Sequence, residues 1–326
     1  MDSTSEDNIV VLNNGQHMPI IGLGMFQTKD GDDIDSVIST AINAGYRLID
    51  TAFTYNNEHL LGQALQKLFK SGKIKREELF ITSKLPPNGM QPDVVQHFFQ
   101  VSLTDLQLDY IDLYLIHCPF ASKRQEDDRD FFAVNDDGNY DADTTVDLTQ
   151  TWKEMEKLVK KGLVKSIGLS NCNSQQIRRI YDSATIKPAV LQVECHAYLP
   201  QFELQDFCKI LGIAFTAYAP LGSPYRAPGD EEVRLLDDPS LKPLCEKHGK
   251  TPAQVLLRYL IQRRIIVIPK STNEKRLKEN IDVFDFTLQE PDMDALKCID
   301  RRRRYFSFAR PTGIPDHPEY PFNIPY

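Results

Sequence analysis

The chain has 326 residues, 41% of them hydrophobic, enough for a substantial core in one large barrel or two smaller domains. A mean hydropathy of −0.38, with no uninterrupted apolar window of roughly eighteen residues, argues against a membrane span. A net charge of −8 with a pI near 5.4 disfavours a nucleic-acid partner, because an acidic surface repels the phosphate backbone.

From the N-terminus, Met1 to Asp7 is polar and acidic. It lacks the basic start and apolar stretch of a secretory signal, so a cytoplasmic protein is expected. Val10–Leu12 and Met18–Pro19, joined through Asn14-Gly15, read as a hairpin, since Asn-Gly suits a tight two-residue turn. Eight β-rich apolar runs follow: Ile20–Gly24, Tyr46–Asp50, Leu79–Lys84, Ile111–His117, Val164–Leu169, Ala189–Val193, Ile213–Tyr218 and Ile265–Pro269. Amphipathic helical patterns alternate with them at Asp32–Asn43, Glu58–Lys70, Pro92–Leu106, Thr151–Lys161, Ser174–Asp182, Glu203–Leu211, Pro252–Gln262 and Glu274–Val283. Eight strand–helix pairs in order predict an α/β fold, a closed (β/α)8 TIM barrel, as one domain over 1–326. The alternative, a doubly wound open sheet, would carry G-x-G-x-x-G after its first strand. Gly22-Leu23-Gly24-Met25-Phe26-Gln27 lacks the third glycine. Residues 119–150 and 223–238 read as long loops over the barrel mouth, and 300–326 as an ordered tail folded over the substrate pocket. Arg301 to Arg304 reads as a solvated loop or helix end. The six cysteines show no C-x-x-C spacing, so free thiols and no metal site are expected.

In such a barrel, side chains at the C-terminal ends of the strands converge on one mouth. There the runs end in, or lead into, Asp50, Lys84, His117, Ser170-Asn171, Gln192 and Glu194, Tyr218, and Lys270-Ser271. Tyr55 follows Asp50 by five residues. A phenol beside an ammonium becomes a stronger acid, a carboxylate holds that ammonium charged, and an imidazole can position a carbonyl oxygen. The set suits proton donation to an oxygen gaining alkoxide character. It does not suit acyl transfer, which needs a Ser or Cys paired with a base, nor glycoside hydrolysis, which needs paired carboxylates. A reduction needs a hydride source. Ile268-Pro269-Lys270-Ser271-Thr272 opens a helix, where N-terminal amides, a cation and hydroxyls would receive phosphate. Arg276 adds a second cation or stacks on adenine, which favours NADPH over NADH. The Tyr218 ring can stack on nicotinamide while Ser170, Asn171 and Gln192 hold its carboxamide.

With Met18-Pro19-Ile20-Ile21-Gly22-Leu23-Gly24, Gly45-Tyr46-Arg47-Leu48-Ile49-Asp50-Thr51-Ala52, Ile81-Thr82-Ser83-Lys84-Leu85, Leu113-Tyr114-Leu115-Ile116-His117, Ile167-Gly168-Leu169-Ser170-Asn171 and Ile268-Pro269-Lys270-Ser271, the chain resembles the aldo-keto reductases over essentially its whole length. The tail His317-Pro318-Glu319-Tyr320-Pro321-Phe322 is similar to that of the NADPH-linked aldehyde reductases in that family. The resemblance implies an enzyme that reduces aldehydes, and ketones as further substrates, with NADPH. Nothing in the sequence demands association, so a monomer is expected. It implies a catalytic tetrad of Asp50, Tyr55, Lys84 and His117, with Tyr55 the general acid. It implies cofactor contacts at Met25, at Ser170, Asn171, Gln192 and Tyr218 for nicotinamide, and at Leu221 and Ser223 for pyrophosphate. Lys270, Ser271, Thr272, Arg276, Glu279 and Asn280 would surround the adenosine 2′-phosphate end.

The substrate pocket departs from that pattern. Vertebrate aldehyde and aldose reductases carry Trp at positions matching Phe26, Pro86 and Cys118, whereas the single Trp here is Trp152, on a predicted helix. Gly313 stands where the aldehyde reductases carry a carboxylate-binding Arg, with Arg310 nearby. A wider, less aromatic pocket is expected, open to larger or more apolar carbonyls. Two other classes compete with a reductase of this family. A non-catalytic binding or structural protein on the same barrel would be favoured by an incomplete tetrad. A short-chain dehydrogenase needs Tyr-x-x-x-Lys, which none of the 13 tyrosines provides, and a zinc dehydrogenase needs ligand spacings that do not occur.

Overall fold

A computed structural model describes residues 8–29, 31–224 and 233–326. The acidic segment before Asn8, which bears on the signal-peptide expectation, and the middle of the 223–238 loop lie outside the described residues. A hairpin of β1 (Ile9–Val11) and β2 (His17–Pro19) comes first, turning through Gly15 at φ 82°. The Asn14 side-chain amide donates to the Lys165 carbonyl at 3.0 Å and to Ser166 Oγ at 2.9 Å, fixing the hairpin near the start of a barrel strand.

Eight parallel strands follow: β3 (Leu23–Gly24), β4 (Leu48–Asp50), β5 (Phe80–Leu85), β6 (Ile111–Ile116), β7 (Val164–Ser170), β8 (Val190–Glu194), β9 (Ala214–Tyr218) and β10 (Ile266–Val267). Each pairs with the next in chain order. The ring closes where Ile21 bridges Val267 in parallel. There the Gly22 N–H donates to the Val267 carbonyl and the Val267 N–H to the Ile20 carbonyl, both at 2.9 Å. This is the (β/α)8 fold. At the seam the regular strands are shorter than the predicted runs Ile20–Gly24 and Ile265–Pro269. A Cβ on Gly24 would stand 2.7 Å from the Ile268 carbonyl oxygen, so only glycine lets the first strand pass that close to the last.

Helices lie at α1 (Ile34–Ala44), α2 (Glu58–Lys70), α3 (Val95–Asp105), α4 (Leu148–Lys160), α5 (Ser174–Ser183), α6 (Phe202–Ile210), α7 (Lys242–His248), α8 (Pro252–Gln262), α9 (Glu274–Ile281) and α10 (Glu290–Lys297). Their starts are written in the sequence. Asn173 caps α5 reciprocally with Gln176, and Thr251 caps α8 with Gln254 behind Pro252. α1 stops at Gly45, which adopts φ 106°. The short α7 and α10 lie outside the eight helical patterns read from the sequence. Trp152 lies in α4, 1% exposed, its indole N–H donating to the Ile186 carbonyl at 3.0 Å. It belongs to the core and not to the mouth.

The long 119–150 loop and the tail are ordered against each other. Cys118, Phe120, Tyr140 and Ile314 form a second small core, with Phe132, Phe308 and Tyr320 packed on it. The Tyr140 N–H donates to the Thr312 carbonyl at 2.7 Å. The far end of the tail is fastened to α5 through Asn173, Gln176 and Arg179, which reach Pro321 and Glu319. Two apolar surfaces too small to bury themselves alone thus shelter each other above the strand ends. Among the described residues, no helix is long and apolar enough to cross a membrane.

Candidate active site

The strand ends frame a cavity with about 1250 Å³ of space, its open mouth included. Its wall includes Asp50, Thr54, Tyr55 and His117 beside Ser170, Asn171, Gln192 and Tyr218. Lys84 is the centre of the polar group and is 0% exposed. Alternation along β5 sends Lys84 toward the mouth, while its neighbour Ser83 turns to α2 and donates to Glu58. The ammonium donates to Asp50 Oδ1 at 2.6 Å, to the Thr51 carbonyl at 2.8 Å and to the Tyr55 phenol oxygen at 3.3 Å. All three of its donors are therefore engaged. The second oxygen of Asp50 accepts from the Gln192 amide at 2.7 Å. Tyr55 comes from the single 3-10 turn Phe53–Tyr55 directly after β4. Its phenol oxygen accepts from Lys84, which leaves its own proton to be donated elsewhere.

Burial lowers the Lys84 pKa, while Asp50 and Glu58 pull it back up. Burial, with the Asp50 charge adding to it, raises the Tyr55 pKa well above 10. The expectation of a phenol made more acidic by its lysine is therefore not met in this site. Asp50, 2.6 Å from the ammonium, offsets its field at the phenol. The result is a phenol that keeps its proton throughout the neutral range. Burial and the Lys84 charge push His117 well below 6.5, so its ring is neutral at pH 7. Its Nδ1 lies 3.2 Å from Thr54 Oγ1, and its ring stands edge-on to Tyr55, centroids 5.7 Å apart.

Asn171 adopts φ 55°, a conformation Asn tolerates, and its amide donates to the His117 carbonyl at 2.8 Å and to Ser170 Oγ at 3.1 Å. Tyr218 donates its hydroxyl to Asn171 Oδ1 at 2.8 Å. Gly24, Leu221, Ser223 and Lys270 line the same cavity, and Met25 is buried behind it. Lys270 is half-buried, and its pKa is lowered by burial and also by the charge of Arg276. Two cations held within electrostatic reach of each other beside the start of α9 are what a multiply charged anion would complement. Ser271 and Asn280 are buried there, Thr272 and Glu279 partly so. The residues present fit a dinucleotide with an additional phosphate. Among the described residues no cluster of His, Cys, Asp or Glu is placed to hold a metal ion.

Of the residues expected to meet the substrate, Phe26 and Cys118 line the cavity. Pro86 and Arg310 are not among its described lining: Pro86 is buried where β5 ends, and Arg310 is exposed on the tail. Several contributors carried no sequence signal. Phe132 comes from the long loop and Phe306 and Phe308 from the tail, and only tertiary folding brings them to the mouth. Asn57 is fully buried and donates to the Met25 and Thr28 carbonyls, tying the Tyr55 turn to the segment after β3. Glu58 is equally buried beneath Lys84, between Ser83 and Ser102, and burial raises its pKa to about 7. An Asn followed by a Glu at the start of a helix is too common in sequence to mark either.

A model of the Aldo/keto reductase family matches residues 20–301, and the chain belongs to that family of oxidoreductases acting on carbonyls. Aldo-keto reductase family 1 member A1 of Xenopus tropicalis is 46% identical over 328 residues, covering 97% of this chain and 97% of that relative. The protein of the same name in Homo sapiens is 45% identical over 325 residues, covering 97% and 98%. Among solved structures, the aldose reductase from Schistosoma japonicum superposes with a TM-score of 0.89 at 42% identity, covering 98% of this chain and 99% of that one.

Proposed function

We propose that residues 1–326 form one catalytic domain that reduces aldehydes, and ketones as further substrates, with NADPH, working as a monomer in the cytoplasm. The observation that carries this reading is the Lys84 ammonium, whose three bonds leave the Tyr55 phenol as a proton donor facing the cavity. Ser170, Asn171, Gln192 and Tyr218 would hold the nicotinamide, with Met25, Leu221 and Ser223 along the dinucleotide. Lys270, Ser271, Thr272, Arg276, Glu279 and Asn280 would receive the 2′-phosphate end. When bound, the nicotinamide supplies the hydride.

The chain's own part is the proton. The neutral His117 ring, by donating a hydrogen bond, holds the carbonyl oxygen against Tyr55. Tyr55 passes its proton to that oxygen as it gains negative charge, and the phenolate left behind is stabilised by the ammonium 3.3 Å away. Asp50 keeps Lys84 in place and balances its charge in a site removed from water. The substrate side of the cavity is formed by Phe26, Cys118, Phe132, Phe306 and Phe308. Lys270, at the cofactor end, is the only cation among the described lining residues. Apolar aromatic and aliphatic aldehydes fit such a wall better than anionic sugar aldehydes.

The test is Tyr55→Phe, which removes the proton and keeps the ring. NADPH oxidation with an aromatic aldehyde should fall by about a thousandfold or more. NADPH binding, followed by fluorescence titration, should be retained. Near-parental turnover in that variant would sink the assignment.

A further inference from the structure

Glu194, the last residue of β8, is 0% exposed and has no part in the proton transfer described above. It lies two residues past Gln192, on the same face of the strand and therefore one layer higher in the mouth. Both carboxylate oxygens are used. Oε1 accepts from the Tyr305 backbone N–H at 2.7 Å and contacts His196 Nε2 at 2.9 Å, while Oε2 accepts from the Phe306 backbone N–H at 2.8 Å. A buried carboxylate is costly unless each lone pair is answered, and here two of the answers come from the tail.

The position of that tie matters. Residues just before it are held by the Tyr198 carbonyl, which accepts from the Arg301 and Arg303 amides. The end of the tail is held by α5. Between these points the Tyr320 hydroxyl donates to the Ser307 carbonyl and the Tyr140 N–H to the Thr312 carbonyl, and Glu194 takes the backbone amides at Tyr305 and Phe306, where Phe306 reaches over the cavity. The Phe306 ring packs edge-on against Tyr218 at 5.4 Å and against Phe26 at 6.2 Å, and Phe26 in turn meets Tyr55 at 5.1 Å. Arg302 and Phe308, on either side, adopt left-handed φ of 49° and 51°, so the segment does not take this path by local preference.

We infer that Glu194 is a positioning residue for substrate selection: it fixes Phe306 as a wall of the pocket and so sets which carbonyl compounds bind well. The inference rests on the reductase reading for its substrates but not for the tie itself. Glu194→Gln keeps the shape of the side chain while its amide nitrogen cannot accept, so one tail amide loses its partner. Hydrogen exchange at Tyr305 and Phe306 should then quicken by about tenfold or more. The ratio of KM for 2-naphthaldehyde to KM for propanal should rise about fivefold, the range expected for losing an aromatic contact, with kcat for 2-naphthaldehyde changed far less. Phe306→Ala should raise the same ratio, and the double variant should do no more than Phe306→Ala alone. Unchanged exchange, equal losses for both aldehydes, or additive effects would overturn the inference. If Glu194→Gln does not fold, a parental KM ratio in Phe306→Ala overturns it. A parent chain that reduces neither aldehyde would defeat the reductase reading instead, and the exchange measurement would still decide the tie.

Discussion

On one side of the cavity, Asp50, Lys84 and Gln192 stand on adjacent or facing barrel strands, and Asp50 accepts from Lys84 at 2.6 Å and from Gln192 at 2.7 Å. On the other, Phe132, Phe306 and Phe308 arrive from the long loop and the tail and are placed by ring contacts and a few backbone bonds. Strand ends in a closed parallel sheet cannot shift without breaking ladder bonds on both sides, so they suit charged groups that must be placed within a fraction of an ångström. Loops can change sequence and path while the barrel stays intact, so they suit the surface that meets the variable part of a substrate. The difference assigns chemistry to one wall and selection to the other.

That division can be broken most sharply at Lys84. Lys84→Met should lower kcat about a thousandfold for every aldehyde and leave the ranking of substrates unchanged, as a panel of steady-state rates would show. A changed ranking would mean that the two walls are not separable.

Glu58 tests how deeply the strand side is supported from beneath. Its carboxyl titrates near 7 in the folded chain against 4.5 for an ordinary glutamate. Between those values the folded chain keeps a proton that the unfolded chain has released, so stability falls as pH rises from 4.5 to 7, by about 3 kcal/mol in all. Glu58→Gln should remove that slope, so the variant gains on the parent as pH rises. Denaturant unfolding at pH 5 and pH 8 measures it, and a difference that does not grow with pH would contradict the assignment.

A smaller effect is expected at Lys270, on the segment after β10. Lys270→Met should weaken NADPH by about ten- to a hundredfold, the worth of one charge-assisted bond, and NADH far less. Fluorescence titration with each nucleotide decides it, and equal losses would remove the 2′-phosphate from this end of the site. None of these three changes should mimic the substrate-dependent shift expected at Glu194.

Much of the strand-built wall could be read directly. Asp50, Lys84, His117 and Asn171 each close or follow an apolar run, and a parallel barrel brings all such ends to one mouth whatever the loops do. The loop-built wall could not be read that way. Phe306 and Phe308 lie in a tail without period, and their neighbours in space, Phe26, Phe120 and Tyr218, are far away in the chain. Pro86 and Arg310 lie outside the described lining: one is buried where β5 ends and the other is exposed on the tail.

The sequence by itself determined the alternation of eight strands with eight of the helices, the closure of the barrel and the polar set at its mouth, since these follow from short-range periodicity and one topological rule. Only the tertiary structure decided the ionisation of that set, the route of the tail and the buried tie at Glu194. Those depend on how much water is excluded around a group and on which distant segment supplies its hydrogen bonds, and neither quantity is a local property of the chain.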